Sequence, residues 1–307
     1  MKKRFYAKWF LSSVVAAFCG IFLCFNFCFG GFGVNIFSPA FSVRSVSAEM
    51  PFYALNPQKI CLRAEFYTSY VTSSDERKHN VKTAANALNN VLVDVGGEFS
   101  FNYTVGARTE SRGYKKAKII VDGKFVDGVG GGVCQVSSTL YNAVLLAGLQ
   151  VTEFHPHSLP VSYVAPSFDA MVNSGSADLK FVNNTHNPII IKSFTDDSQI
   201  KISIFGEPLK EKYVRQSRII EEIPACFGDP IKDVNGDFPD LFEGETKILS
   251  YGRNGYKSEG LLLKLVNGKL VSSKLIRTDK YNCVKGVIVE GTQKKSPDAA
   301  IISDEIQ

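Results

Sequence analysis

The segment Gly130-Gly131-Gly132-Val133-Cys134-Gln135-Val136-Ser137-Ser138-Thr139 sets a thiol where a glycine run meets a helix-periodic stretch. Consecutive glycines let a backbone turn sharply and approach a ligand closely. Their N–H groups, with those of a first helical turn, can form a nest for an anion. The positive end of a helix dipole favours a thiolate, so a cysteine placed there has a depressed pKa. The same N–H groups could hold the oxyanion formed when a thiolate attacks an amide carbonyl. Gly131 and Gly132 are therefore candidate substrate contacts. The hydroxyls of Ser137, Ser138 and Thr139 are expected to satisfy N–H groups at the helix start and to serve the substrate secondarily.

A thiol nucleophile needs a base. The chain has four histidines, His79, His155, His157 and His186. Two lie in Phe154-His155-Pro156-His157-Ser158, ahead of an expected strand Val161–Val164, and Asp169 follows. The order helix-N-terminal Cys, then His, then Asp is that of papain-like and transglutaminase-like enzymes, in which the base activates the thiol and the third group orients the base. His157 lies nearer the expected strand and is the first choice of base; His155 is the second. As a metal site the pair is short of ligands, with only Cys134 and Asp169 to add, so neither a metal nor another cofactor is expected. His79 and His186, beside asparagines, read as surface residues.

Stepping outward, Val136, Leu140, Tyr141, Val144 and Leu145 recur at helical spacing up to Gly148, a C-cap. Val81, Ala84, Ala85, Leu88 and Val91 predict a short amphipathic helix over 80–92, ended by Gly96-Gly97. Asp122-Gly123 between Lys118–Val121 and Phe125–Val126 is a hairpin signal. Strands are expected at Lys59–Val71, Val151–Phe154, Val161–Val164, Leu179–Val182, Pro188–Phe194 and Gln199–Phe205. The result is an α+β domain over about 57–207, in which the Cys-bearing helix packs on an antiparallel sheet. Residues 208–293 alternate strand-like runs (Lys247–Tyr251, Leu261–Val266, Leu270–Ile276, Val284–Val289) with glycine-rich turns, a second, small all-β domain. Residues 294–307 form a polar tail expected to be disordered.

The net charge of +5 belongs to the N-terminus. Lys2, Lys3, Arg4, Lys8 and Arg44 are unopposed by any acid before residue 49, and the remainder balances 30 basic against 30 acidic residues. The domains themselves offer no basic footprint for nucleic acid. Trp9 to Phe29 is almost wholly apolar behind a positive flank, and Val46-Ser47-Ala48 is a cleavable small-residue motif. Residues 1–48 thus read as a signal peptide or membrane anchor with its tether, and residues from about 49 onward work outside the cytoplasm. Cys19, Cys24 and Cys28 are small hydrophobes of that segment. Of the exported cysteines, Cys226 and Cys283 fall in one region and are the expected disulfide in an oxidising compartment.

Gly97-Glu98-Phe99-Ser100-Phe101-Asn102, Val105-Gly106, Gly113-Tyr114-Lys115-Lys116-Ala117, the glycine–Cys segment with Leu140-Tyr141-Asn142-Ala143, His155 to Val164, and Asp169-Ala170 together resemble the VanW family. Gly252-Arg253-Asn254-Gly255-Tyr256, Asn267 to Val271 and Val289-Glu290-Gly291-Thr292 more weakly resemble the G-five module found beside it. The resemblance implies a peptidoglycan setting in a Gram-positive bacterium, membrane-anchored or secreted to the cell wall. It also implies an L,D-transpeptidase that makes 3-3 cross-links through a cysteine thioester. Stem peptides and the wall are then the partners, with the membrane held through the N-terminal segment. Tyr163, within the matching stretch, joins Gly131, Gly132, Ser137 and Ser138 as a substrate contact. A non-catalytic wall-binding protein with Cys134 structural, and a peptidoglycan peptidase with water as acceptor, are the other classes. Two positions depart from the family: Phe154 stands where it usually has Arg, and Ser167-Phe168 where it usually has Gly-Arg, which removes those arginines as substrate carboxylate contacts.

Overall fold

In a computed structural model, residues 43–45, 60–121 and 124–295 are described. The apolar segment before residue 43, the Asp122-Gly123 turn and the tail from 296 lie outside them. Five antiparallel strands form the main sheet, in the order β1 (Val43–Ser45), β3 (Val91–Val93), β9 (Ile189–Thr195), β10 (Gln199–Gly206), β2 (Cys61–Ser69). β1 falls within the stretch read from sequence as a tether. Along β10 the buried face is Ile200, Ile202 and Ile204, the period of two that a half-covered strand requires.

Two helices cover that face. α1 (Asp75–Leu88) starts five residues before the expected 80, because Ser74 caps it and Asp75 and Glu76 fill its first turn. It ends at Leu88, and β3 intervenes before Gly96-Gly97. α3 (Val133–Leu146) lies against α1, β2 and β10 and is buried nearly all round, as an apolar helix in the middle of a domain must be. Gly132 is its N-cap at φ +108°, and Gly148, at φ +68°, follows its C-cap Ala147. β4 (Glu98–Ser100) runs directly into the short α2 (Phe101–Val105) and pairs with β8 (Lys180–Val182), which pairs with β7 (Gln150–Glu153). β5 (Lys116–Val121) and β6 (Lys124–Val129) form the expected hairpin.

No strand forms at Val161–Val164; the chain bends irregularly from Phe154 to Leu179. Pro156, Pro160 and Pro166 deny this stretch the N–H donors a ladder needs. Beyond residue 207 the sheet β11 (Lys212–Ile223), β14 (Gly255–Val266), β15 (Lys269–Tyr281) is antiparallel, and a smaller one joins β12 (Ile231–Lys232), β16 (Val287–Glu290) and β13 (Thr246–Ser250). β11 carries no clean alternation and was not legible as a strand. Cys226 and Cys283 are free thiols. Their sulfurs meet at 4.0 Å, against about 2.05 Å for a disulfide. The expected bond is therefore not formed in this structure, although the fold does bring the pair together.

Candidate active site

Cys134 is the second residue of α3. Its thiol donates to the Val172 carbonyl at 3.3 Å and makes a side-chain hydrogen bond with His157. His157 is 5% exposed and Asp169 1%. Asp169 Oδ2 accepts twice from His157, from the backbone N–H at 2.7 Å and from Nδ1 at 2.6 Å. The Nδ1 proton is fixed by that carboxylate, which leaves Nε2 for the thiol. The ring is thus held through Nδ1 by Asp169, with no strand beneath it.

The electrostatics follow from these contacts. Burial opposes the charged form of Cys134, but the hydrogen bond and charge of His157, with Arg108 beyond, outweigh it and the thiol pKa falls below its ordinary value. Burial likewise opposes the imidazolium, yet Asp169 and Cys134 push His157 up to about 9. Burial would raise Asp169, but His157, Arg277 and Tyr281 hold it below the usual carboxylate range. All three shifts run toward the charged form: His157 draws Cys134 and Asp169 down, and the two of them draw it up.

His155 does not join this arrangement: its Nε2 meets Glu153 Oε1 at 3.0 Å on a half-exposed edge. Ser137 and Ser138 are wholly buried. Ser137 Oγ donates to the Cys134 carbonyl at 3.1 Å and the Ala170 carbonyl at 2.5 Å. Ser138 Oγ donates to the Cys134 carbonyl at 2.7 Å and accepts from Ala170 N at 2.9 Å. Both therefore clamp α3 to the segment bearing Asp169 and do not cap the helix. Tyr163 interacts with the same group: its pKa is raised by burial, then by Cys134 and Asp169, and lowered by Ser138. In the glycine run, Gly130 N, Val133 N and Gln135 N are spent on Lys115, Gly130 and Gly132 carbonyls. The amides of Gly131, Gly132 and Cys134 take no acceptor among the described residues.

Two site residues escaped the sequence reading. Tyr281 donates to Asp169 Oδ1 at 2.5 Å and accepts from Ser167 N at 2.8 Å. Arg277 reaches the Asp169 carbonyl at 2.6 Å and Oδ1 at 3.3 Å, and pairs with Asp279 at 2.6 Å. Both come from the end of β15, more than 100 positions away. The signal that was available is Arg277, Asp279 and Tyr281 at period two, one face of a strand. Arg277 lies 4.8 Å from the Phe154 ring and Arg215 5.0 Å from the Phe168 ring. Ser167 sits at φ +62°, a left-handed conformation, held by Tyr281 and by Ser258 Oγ at 2.8 Å.

Fold and site together define a β-rich, two-part protein with a Cys-His-Asp constellation at a helix start. Residues 76–205 match the family described as VanW like protein, and residues 230–293 match the G5 domain. The chain carries a VanW-like domain followed by a G5 domain. The uncharacterized protein YoaR of Bacillus subtilis (strain 168) is 42% identical over 165 residues, 52% of this chain and 54% of that protein. The Vancomycin B-type resistance protein VanW of Enterococcus faecalis (strain ATCC 700802 / V583) is 29% identical over 211 residues, 67% of this chain and 69% of its own length. The chain thus spans about half of YoaR and about two thirds of VanW. Two solved structures, of HP0197-G5 and of the IgA1 protease G5 domain, are 20% and 23% identical; they cover 26% and 28% of this chain and 99% and 96% of their own, with TM-scores of 0.15 and 0.17.

Proposed function

We propose that the protein is a cysteine-dependent peptidoglycan L,D-transpeptidase acting at the cell wall. The observation that carries this reading is the alignment of Cys134, His157 and Asp169, with a 2.6 Å Nδ1–carboxylate bond fixing the imidazole toward the thiol. The VanW-like and G5 domains support the wall setting, and the basic, apolar N-terminus supports export of the rest.

In the first half-reaction the Cys134 thiolate attacks the L,D amide carbonyl of a donor tetrapeptide. The oxyanion is received by the unspent amides among Gly131, Gly132 and Cys134. The C–N bond breaks as the His157 imidazolium gives its proton to the departing D-alanine nitrogen, leaving a thioester. In the second, the side-chain amine of another stem attacks the thioester carbonyl, His157 takes its proton, and the C–S bond breaks to restore the thiolate. Tyr163 and the glycine amides line the approach. Asp169 stays ionised throughout and keeps the ring oriented.

The test is to incubate the purified full-length protein with disaccharide-tetrapeptide and analyse the products by mass spectrometry. A 3-3 cross-linked dimer with released D-alanine is expected. Tripeptide without dimer would make the enzyme a peptidase, and unchanged substrate would leave a wall-binding protein.

A further inference from the structure

The aliphatic stems of two arginines pack against the glycine run. A Cβ on Gly130 would lie 3.0 Å from Arg108 Cβ and 3.3 Å from its Cγ, and one on Gly132 would lie 3.1 Å from Arg77 Cγ. Each head is anchored by neutral partners alone. Arg108 Nη2 donates to Asn102 Oδ1 at 2.5 Å, and Arg77 Nη1 to Ser73 Oγ at 3.0 Å and Gln135 Oε1 at 2.8 Å. Neither has a carboxylate within ion-pair distance among the described residues, unlike Arg63, Arg218 and Arg277. Asp178, the acid whose field Arg108 feels, spends its oxygens on Ser100 Oγ, Asn102 N and Leu179 N at 2.5, 2.9 and 2.8 Å. Arg215 also lacks a carboxylate, but it lies between two rings, 4.2 Å from Phe66 and 5.0 Å from Phe168, whereas Arg108 has only the Phe101 ring at 5.8 Å.

Partly burying two cations without a counter-charge is costly, and burial lowers the pKa of both. Both also act electrostatically on Cys134. Their stems pack on Gly130 and Gly132, the turn that leads directly into Cys134. A guanidinium is a planar fork that matches a carboxylate with two parallel hydrogen bonds. Arg108 and Arg77 thus stand beside the glycine turn that precedes Cys134, with N–H groups beyond those given to Asn102, Ser73 and Gln135.

We propose that Arg108 and Arg77 form the recognition site for a free C-terminal carboxylate on the donor peptide, one residue beyond the bond that Cys134 attacks. This rests on Cys134 being the attacking atom, and it names the substrate class: uncross-linked peptide ends with one residue past the acyl position, not internal bonds of finished cross-links. It also supplies a carboxylate contact in a chain lacking arginines at 154 and 168.

The test is calorimetric binding to the full-length, acylation-incompetent Cys134→Ala protein. The probes are disaccharide-tetrapeptide with a free terminal carboxylate and the same compound as its C-terminal amide. The carboxylate form is expected to bind at least about tenfold more tightly, the scale of a hydrogen bond to a charged group. That preference should collapse in Arg108→Gln and in Arg77→Gln, with Arg108→Lys retaining part of it. Equal binding of the two probes, no binding of either, or a preference undiminished in both glutamine variants overturns the proposal. If a variant does not fold, the comparison of the two probes on the parent protein still decides. A carboxylate preference without any cross-linked product from the wild-type protein would overturn the transpeptidase reading alone.

Discussion

Asp169 is where the site's interactions converge: it accepts from the His157 backbone and ring, from Tyr281 and from Arg277. Of the two neighbouring histidines, His157 is the one bonded to Asp169, and His155 meets Glu153. His157→Ala is expected to lower turnover at least ~100-fold, the low end for acid–base catalysis. His155→Ala should change turnover little, with thermal melts showing both variants folded; a large loss only in the latter would reverse the roles. A second expectation concerns pH. His157 is raised to about 9, so the stabilisation of its charged form is fully present below its ordinary pKa and is lost as pH rises through about 9. Asp169 is lowered, so its contribution holds above the ordinary carboxylate value and is lost only as pH falls through the lowered one. Turnover should fall on an alkaline limb near 9, and Asp169→Asn should move that limb to lower pH; a limb that does not move would detach Asp169 from the base. Cys134, His157 and Asp169 were legible because each sits in a local motif. Arg277 and Tyr281 were not, because their role exists only once a distant hairpin docks.

At the scale of elements, α3 was readable because a buried helix writes its period directly into the sequence, and its glycine start marked where the thiol would emerge. The strand expected at Val161–Val164 was wrong because three prolines, with side chains committed to Ser138 and Asp169, outweigh β-branched composition. Yet that irregular segment is what carries His157 and Asp169 to α3. The start of α3 is correspondingly intolerant. Gly132 sits at φ +108°, and a Cβ there would meet Val81 Cγ2 at 3.0 Å and the Arg77 carbonyl at 3.2 Å. Gly132→Ala should therefore destabilise the protein by about 1–3 kcal/mol, read as a lowered melting temperature, whereas alanine at exposed, unobstructed Gly175 should be nearly silent. Equal melting temperatures would show that the α1–α3 junction yields more easily than its packing implies.

Across the whole molecule, the break read from composition at residue 207 marks where the family match ends, but it does not mark the edge of the site. The sheet of β11, β14 and β15 lays Ser217 on the Pro166 carbonyl at 2.8 Å, Ser258 on Ser167, and Arg277 and Tyr281 on Asp169. The G5 match contains the last three. Arg277→Ala would strand the buried carboxylates of Asp169 and Asp279 and should cost about 3–5 kcal/mol. Tyr281→Phe, losing two buried hydrogen bonds but little volume, should cost about 1–3 kcal/mol and lower turnover as well; denaturant melts and steady-state rates check both. If both variants keep wild-type stability and rate, the C-terminal module is a passenger. The central claim, that Cys134 is a nucleophile charged by His157 and Asp169, meets its most direct test in the intact mass of the full-length protein quenched during turnover of disaccharide-tetrapeptide. The expected result is an adduct equal to the donor minus D-alanine, mapped by proteolysis to Cys134 and absent from Cys134→Ala. Cross-linking that continues in Cys134→Ala, or an adduct on any other residue, would contradict it.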